Sequence, residues 1–280
     1  MSIRQVEFAA PRTTATASKL MARRWGRRLY KLLAGLVLPL VLLAAWQILG
    51  DRGLISTLLF PTPAAIFNNA LGLYDTGELT DNLRISLVRM LSGFGLGASC
   101  GFAFGLAVGL SRYVERSLDP TIQMIRMVPH LALTTLFVLW FGIGETAKVL
   151  LIAKGAFFPL YINTYLAIRN VDGKYFEVAR VLGFSGKKRL YRLVVPAIMP
   201  GVFLGIRLSV AVSWLGLVVA EIMGSTSGIG YMMMDARAMS MTATVFVGIF
   251  LFAILGKTSD SLVLALERRV LRWRDSFGGR

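Results

Sequence analysis

Apolar runs of membrane-spanning length recur along this chain, and no other feature restricts its fold as much. They cover about residues 29–49, 85–110, 121–141, 147–168, 197–220 and 244–266. Each is close to the ~20 residues that a helix needs to cross about 30 Å of hydrocarbon. With 55% hydrophobic side chains and a mean hydropathy of +0.64, the chain lies outside the range of soluble domains. The fold class that follows is all-α, a polytopic membrane bundle of about six transmembrane helices.

The formal charge of +16 would suit nucleic acid if it sat on one soluble face, but its placement is topological instead. Residues up to 31, the 111–119 loop, the 169–196 segment and the stretch from 267 hold 22 of the 31 lysines and arginines. The three intervening segments hold only Arg52, Lys148 and Arg237, and the first of them carries Asp51, Asp75, Glu78 and Asp81. The positive-inside bias therefore places both termini in the cytoplasm. Residues 1–28 are polar and basic, built unlike a cleavable signal peptide, and read as a disordered cytoplasmic tail. A transmembrane domain follows over 29–266, and 267–280 form a second cytoplasmic tail. The lone Cys100, among small apolar residues, reads as helix packing, with no disulfide framework. No internal repeat is visible, which disfavours an inverted-repeat secondary transporter.

The second span is crowded with small residues, Gly93, Gly95, Gly97, Ala98, Ser99, Gly101 and Gly105. Such residues let helices approach closely in lipid, so this span is expected at the centre of the bundle. Arg126, Lys154 and Arg207 fall inside spans, where a cation should face a cavity, a partner or an interface. With His130 they are the candidate substrate pathway, although Arg126 and Arg207 lie near enough to a cytoplasmic end to snorkel. His130 follows Pro129 at an expected kink, and reads as packing or as a proton relay; a lone histidine argues against a zinc site. Lys257 and Asp260, at i, i+3, are expected to pair. The run Met232-Met233-Met234 reads as interfacial packing or as a flexible surface for a binding protein.

The interval 171–200 is the only long polar one between strongly apolar blocks. Asp172 can cap a short helix with Tyr175, Val178, Ala179 and Leu182 on one face, which Gly183 ends. Ser185 can cap a second, with Leu190, Leu193 and Val194 repeating until Pro196 and Pro200 interrupt it. Such a pair could dock into a partner's groove, lie on lipid, or be a basic cytoplasmic loop. A DNA-reading helix-turn-helix is excluded by the apolar segments adjoining both ends.

Glu177-Val178-Ala179, Gly183 and, after nine intervening residues, Leu193-Val194-Val195-Pro196 resemble the EAA loop of ABC-importer permeases. Val178 stands for that motif's first alanine and Val195 for the leucine before its proline. The resemblance implies that the 171–197 loop forms coupling helices seated in a cleft of an ATPase subunit, with Glu177, Val178, Ala179, Gly183, Leu193 and Pro196 as contact positions. Glu177 is then an interface residue, or a cap for its own helix pair.

The likeness extends to Asn82-Leu83-Arg84-Ile85-Ser86-Leu87-Val88-Arg89 and to Pro129-His130-Leu131-Ala132-Leu133. It covers also Leu139-Trp140-Phe141-Gly142-Ile143-Gly144-Glu145, Ala220-Glu221, Ser227-Gly228-Ile229-Gly230-Tyr231 and Asp235-Ala236-Arg237. All are similar to the nitrate, taurine and sulfonate permease group, and Ile122–Arg126 with Phe158–Thr164 is closest to aliphatic-sulfonate permeases. Thr134-Thr135 departs from the Ile-Pro of that subgroup. The resemblance implies a bacterial inner-membrane importer subunit, a homodimer with ATP-binding subunits and a periplasmic substrate-binding protein. Its substrate is an aliphatic sulfonate, with taurine, nitrate or a thiamine precursor as alternatives. The chain has no Gly-x-x-x-x-Gly-Lys-Ser/Thr loop, so ATP and magnesium belong to the partner, and no catalytic or metal-binding residue is assigned here.

Overall fold

A computed structural model describes residues 37–273, and among these every regular element is helical. The expected 1–28 tail, the start of the first span and residues 274–280 lie outside the described residues. Residues up to Ala65 and those from Ile66 on form two units. In the first, helix α1 (Val37–Asp51) is the described part of the first expected span. Gln47 near its end donates to Asp51 at 2.9 Å and accepts from the Ala64 amide at 3.0 Å, fixing the turn that follows.

After α2 (Pro63–Asp75), the second unit is organised on α3 (Glu78–Leu110), α6 (Glu145–Arg169) and α9 (Val195–Ile222). Gly93, Gly97, Gly101, Gly105 and Gly109 repeat every fourth residue on α3, and α6 lies directly in the groove they leave. A Cβ on Gly105 would stand 2.8 Å from the Tyr161 carbonyl, and one on Gly97 would enter the Ala153 backbone. The two helices run parallel, since Gly93 faces Ile152 and Gly109 faces Ile168. α9 runs antiparallel to α6, with Gly201 and Gly205 against Asn163. The small residues thus act as expected, by backbone approach. Gly95 meets nothing, and Cys100 is exposed rather than packed, because each lies off the four-residue stripe.

The third expected span is not one helix. α4 (Arg112–Met127) and α5 (His130–Phe141) meet at 97°. Val128, which precedes Pro129, is extended (φ −68°, ψ 122°), as steric conflict with a following proline ring dictates. α4 is held to α6 by a ladder: Tyr161 donates to Asp119 at 2.6 Å, Tyr165 to Glu115 at 2.6 Å, and Arg169 pairs with Glu115.

Helix α7 (Gly173–Val181) begins where Asp172 accepts from the Lys174 amide at 2.9 Å. It ends at Gly183 with φ +64°, where the Phe184 amide closes back on the Ala179 carbonyl at 2.9 Å. That is the left-handed helix stop expected of this glycine. The prolines behave otherwise than expected. α8 (Gly186–Arg189) passes through a π turn (Leu190–Val194) directly into α9. The wider turn absorbs the hydrogen bond that Pro196 cannot donate, and the helix continues past Pro200.

The interval between the fifth and sixth expected spans contains α10 (Ile229–Ala238). Met232 is buried and Met233 packs on Gly248 of α11 (Thr242–Val270), so the methionine run is packing. Among the described residues α3, α6, the rod Tyr191–Ile222 and α11 are long and apolar enough to cross a membrane, and the bent α4–α5 pair would make a fifth. On α11, Ile249, Ile254, Leu262 and Leu266 are exposed.

Candidate functional site

Three places carry polar chemistry. The first, at the end of the bundle where α3 and α6 begin and α9 finishes, was not assigned a role from sequence. Asn82, Ser86 and Arg89 occupy one face of α3 by helical spacing. Arg89 is 4% exposed and forks onto Glu145, donating Nε to Oε2 at 2.7 Å and Nη2 to Oε1 at 2.6 Å. Its Nη1 donates to Glu221 Oε1 at 2.9 Å and to the Ser227 carbonyl at 2.6 Å. Glu221, 1% exposed, also accepts from Ser86 Oγ at 2.7 Å and from the Gly230 amide at 2.9 Å. Ser86 Oγ in turn accepts from the Ile229 amide at 2.9 Å, and Asn82 accepts from the Gly228 amide at 2.7 Å. Lys148 donates to Glu145 at 3.0 Å.

Two cations thus meet two carboxylates. Gly228 closes the network at φ +105°, where a Cβ would collide with the Glu221 carboxylate and stand 2.8 Å from Arg89 Nη1. The network ties α3, α6, α9 and the start of α10 together. Its signal in the sequence was the shared face of Asn82, Ser86 and Arg89. Partners up to 146 positions away were not legible.

The second place is a cavity of about 410 Å³ beneath the α4–α5 break. It gathers three of the four candidate pathway residues: Arg126 from the last turn of α4, His130 from the first turn of α5, and Lys154 from α6. Lys154 lies nine residues into α6, about 14 Å along its axis at 1.5 Å per residue, and so near mid-depth. Its ammonium donates to the Val128 carbonyl, freed by the break, at 3.1 Å. The imidazole of His130 sits where α6 and α9 cross; a Cβ on Gly216 would be 3.3 Å from Nε2 and one on Gly155 3.7 Å from Cε1. Nε2 is sealed from solvent with no protein partner. Leu133 N–H is the first of α5 to bond back, to the Pro129 carbonyl, so the amides of His130, Leu131 and Ala132 precede the helix's own ladder.

Arg207, the fourth candidate, is elsewhere. Its Nε donates to Asp260 of α11 at 2.9 Å. Asp260, expected to pair with Lys257, instead makes its ion pair with Arg207 across the two helices.

The third place is the α7–α9 end. Ala179 is buried, while Glu177, Tyr175, Val178, Val181 and Leu182 are exposed. Gly183 forms the turn between α7 and α8. Leu193 and Pro196 line a groove of about 650 Å³ with Tyr175, Arg192 and Trp273. The face expected to be apolar is therefore apolar, but the chain itself covers only Ala179 of it.

Residues 93–272 match the family of binding-protein-dependent transport system inner membrane components. A chain of Bacillus subtilis (strain 168) named as an aliphatic sulfonates transport permease is 51% identical over 96% of each chain. A chain of Escherichia coli (strain K12) with the same designation is 44% identical over 86% of this chain and 91% of its own. The taurine transport system permease protein of that organism is 33% identical over 83% and 86%. With the helical bundle and these matches in place, the chain belongs to the inner-membrane components of binding-protein-dependent transport systems.

Proposed function

We propose that the chain is the membrane-spanning subunit of an ATP-driven importer for aliphatic sulfonates, working as a homodimer with two ATP-binding subunits and a periplasmic substrate-binding protein. One observation carries the partner reading. Tyr175, Val178, Val181 and Leu182 are 57, 56, 87 and 61% exposed along one stripe of α7. Apolar anchors at i, i+3 and i, i+4 are what a helix offers to a groove, and the likeness to the EAA loop makes that groove the ATPase cleft. α7 and both termini are then cytoplasmic, as the charge asymmetry requires, and α10 is periplasmic. The substrate class rests on the two sulfonate relatives.

The geometry supports a direct linkage. The Gly183 turn and the stacking of Lys188 over the Phe184 ring at 4.6 Å join α7 to α8. α8 then leads without a break into the rod Tyr191–Ile222, roughly 48 Å at the helical rise. ATP-driven closure of the ATPase dimer moves α7 and α8, and the rod carries that displacement to the cavity and on to Glu221. The bundle shifts between inward- and outward-facing arrangements accordingly.

Purification of the tagged chain from mild detergent tests the reading. An ATPase subunit is expected to come with it, and to be lost in Val178→Asp and Gly183→Val while membrane insertion is unchanged. A chain that purifies and transports alone would refute the assignment.

A further inference from the structure

The geometry points to the cavity under the α4–α5 break as a binding station for an anionic head group carrying a short hydrocarbon tail. Lys154 holds the head, Arg126 stands at the rim, and Val212, Leu215 and Val219 of α9 receive the tail. This inference rests on the importer reading and assigns the point at which the transported anion pauses.

Charge is the first argument. The lining contains two cations and a histidine but no carboxylate. Two other cations in the bundle are already neutralised, Arg89 by Glu145 and Glu221 and Arg207 by Asp260. Among the described residues neither Lys154 nor Arg126 has an acidic partner. A cation near mid-depth without a counter-ion is expensive, and such groups mark pathways.

Donor accounting is the second. Lys154 uses one of its three N–H groups on the Val128 carbonyl and keeps two. That bond and the Phe158 ring, 5.8 Å from the ammonium, hold the side chain toward the break. His130 Nε2 is enclosed between Gly155 and Gly216, out of a ligand's reach, so the free donors that the cavity presents are those of Lys154 and Arg126. The leading amides of α5 add the partial positive charge of a helix start.

Shape is the third. The volume of about 410 Å³ falls within the ~300–1,000 Å³ of small-molecule sites. The wall facing the cations is aliphatic. A small inorganic anion would leave that wall unused, whereas an alkanesulfonate matches both sides. A phospholipid shares the same chemistry, so the test must separate the two sources.

The permease–ATPase complex, in nanodiscs of zwitterionic lipid and without binding protein, is titrated with 1-butanesulfonate and with neutral butyl methyl sulfone by ligand-detected saturation-transfer NMR. The sulfonate is expected to bind at least tenfold more tightly than the sulfone. Lys154→Gln is expected to raise its Kd about tenfold or more, and Lys154→Arg to recover part of the loss. Leu215→Trp, which fills the aliphatic side without touching a charge, is expected to abolish binding. Thermal unfolding of each variant guards against misfolding.

Equal binding of the two probes, no binding by the parent complex, or unchanged affinity in both Lys154→Gln and Leu215→Trp would overturn the inference. So would displacement of the probe by added anionic lipid, which would make lipid the occupant. Sulfonate-stimulated ATPase activity with the binding protein present is read on the same discs. If it persists while the cavity fails these tests, only this inference falls; if the parent complex lacks it, the importer reading falls instead.

Discussion

Arg89 and Lys154 are both cations held inside the bundle, and the molecule treats them in opposite ways. Arg89 makes five hydrogen bonds to Glu145, Glu221 and Ser227, so its guanidinium is fully engaged by the protein. Lys154 makes one, to a carbonyl left free because the helix breaks at Val128. The first arrangement fixes helices to one another. The second leaves charge for something that is not part of the chain. Buried charge alone therefore does not indicate function; what matters is whether the fold has already supplied its partners.

The largest effect should come from opening the saturated network. Glu221→Ala leaves Arg89 in a site 4% exposed with half its carboxylate partners gone. Removing one member of a buried pair typically costs about 3–5 kcal/mol, so a comparable loss is expected in SDS-titrated unfolding in mixed micelles. Glu145→Ala should lose distinctly less, because that carboxylate is 60% exposed and its attraction is screened. Gly228→Ala reaches the same network through the backbone, combining φ +105° with a collision on Glu221; about 2 kcal/mol is expected. If Glu145 proves as important as Glu221, the network is not the desolvated clasp described.

Lys154→Gln should separate stability from activity. The unfolding midpoint should hold or rise, since an intramembrane charge is removed, while sulfonate uptake falls at least tenfold. Val178→Asp should also leave unfolding unchanged, because Val178 is 56% exposed, yet it should abolish recovery of the ATPase. A matched fall of stability and uptake in Lys154→Gln would make Lys154 a second Arg89.

How much of this was legible in the sequence follows from the range of each interaction. Four of the six expected spans and the glycine stripe were legible, because hydrocarbon demands a length and close helix contact demands small residues at fixed spacing. The Asp172 cap and the Gly183 stop were legible because both are local. Pro129 signalled a kink, but the 97° bend depended on Val128 leaving helical geometry as well. Pro196 and Pro200 misled, since a π turn can accommodate a missing donor and nothing local in the sequence announces one. The clasp was invisible as a clasp: Arg89 and Glu221 are 132 residues apart, and only packing of α3, α6 and α9 brings them together. Arg126, His130 and Lys154 were each suspected singly, whereas their convergence required the break.

Arg207 is the test of smallest expected effect. Its sequence neighbourhood made it a pathway candidate equal to Lys154, yet in the fold it donates to Asp260 across α9 and α11, with side chains 35 and 37% exposed. A pair so placed is partly screened, contributes little, and is already complete without a ligand. Neutralising one member leaves the other's charge unmatched, so Arg207→Leu or Asp260→Leu alone should lower uptake and yield modestly. Neutralising both removes charge and counter-charge together, and the double variant should return close to the parent. Uptake in the double variant is the decisive reading. If it stays as low as in Lys154→Gln, Arg207 meets the substrate after all, Asp260 is a counter-ion that the anion displaces, and the division between engaged and available cations gives way to a path along which both kinds serve in turn.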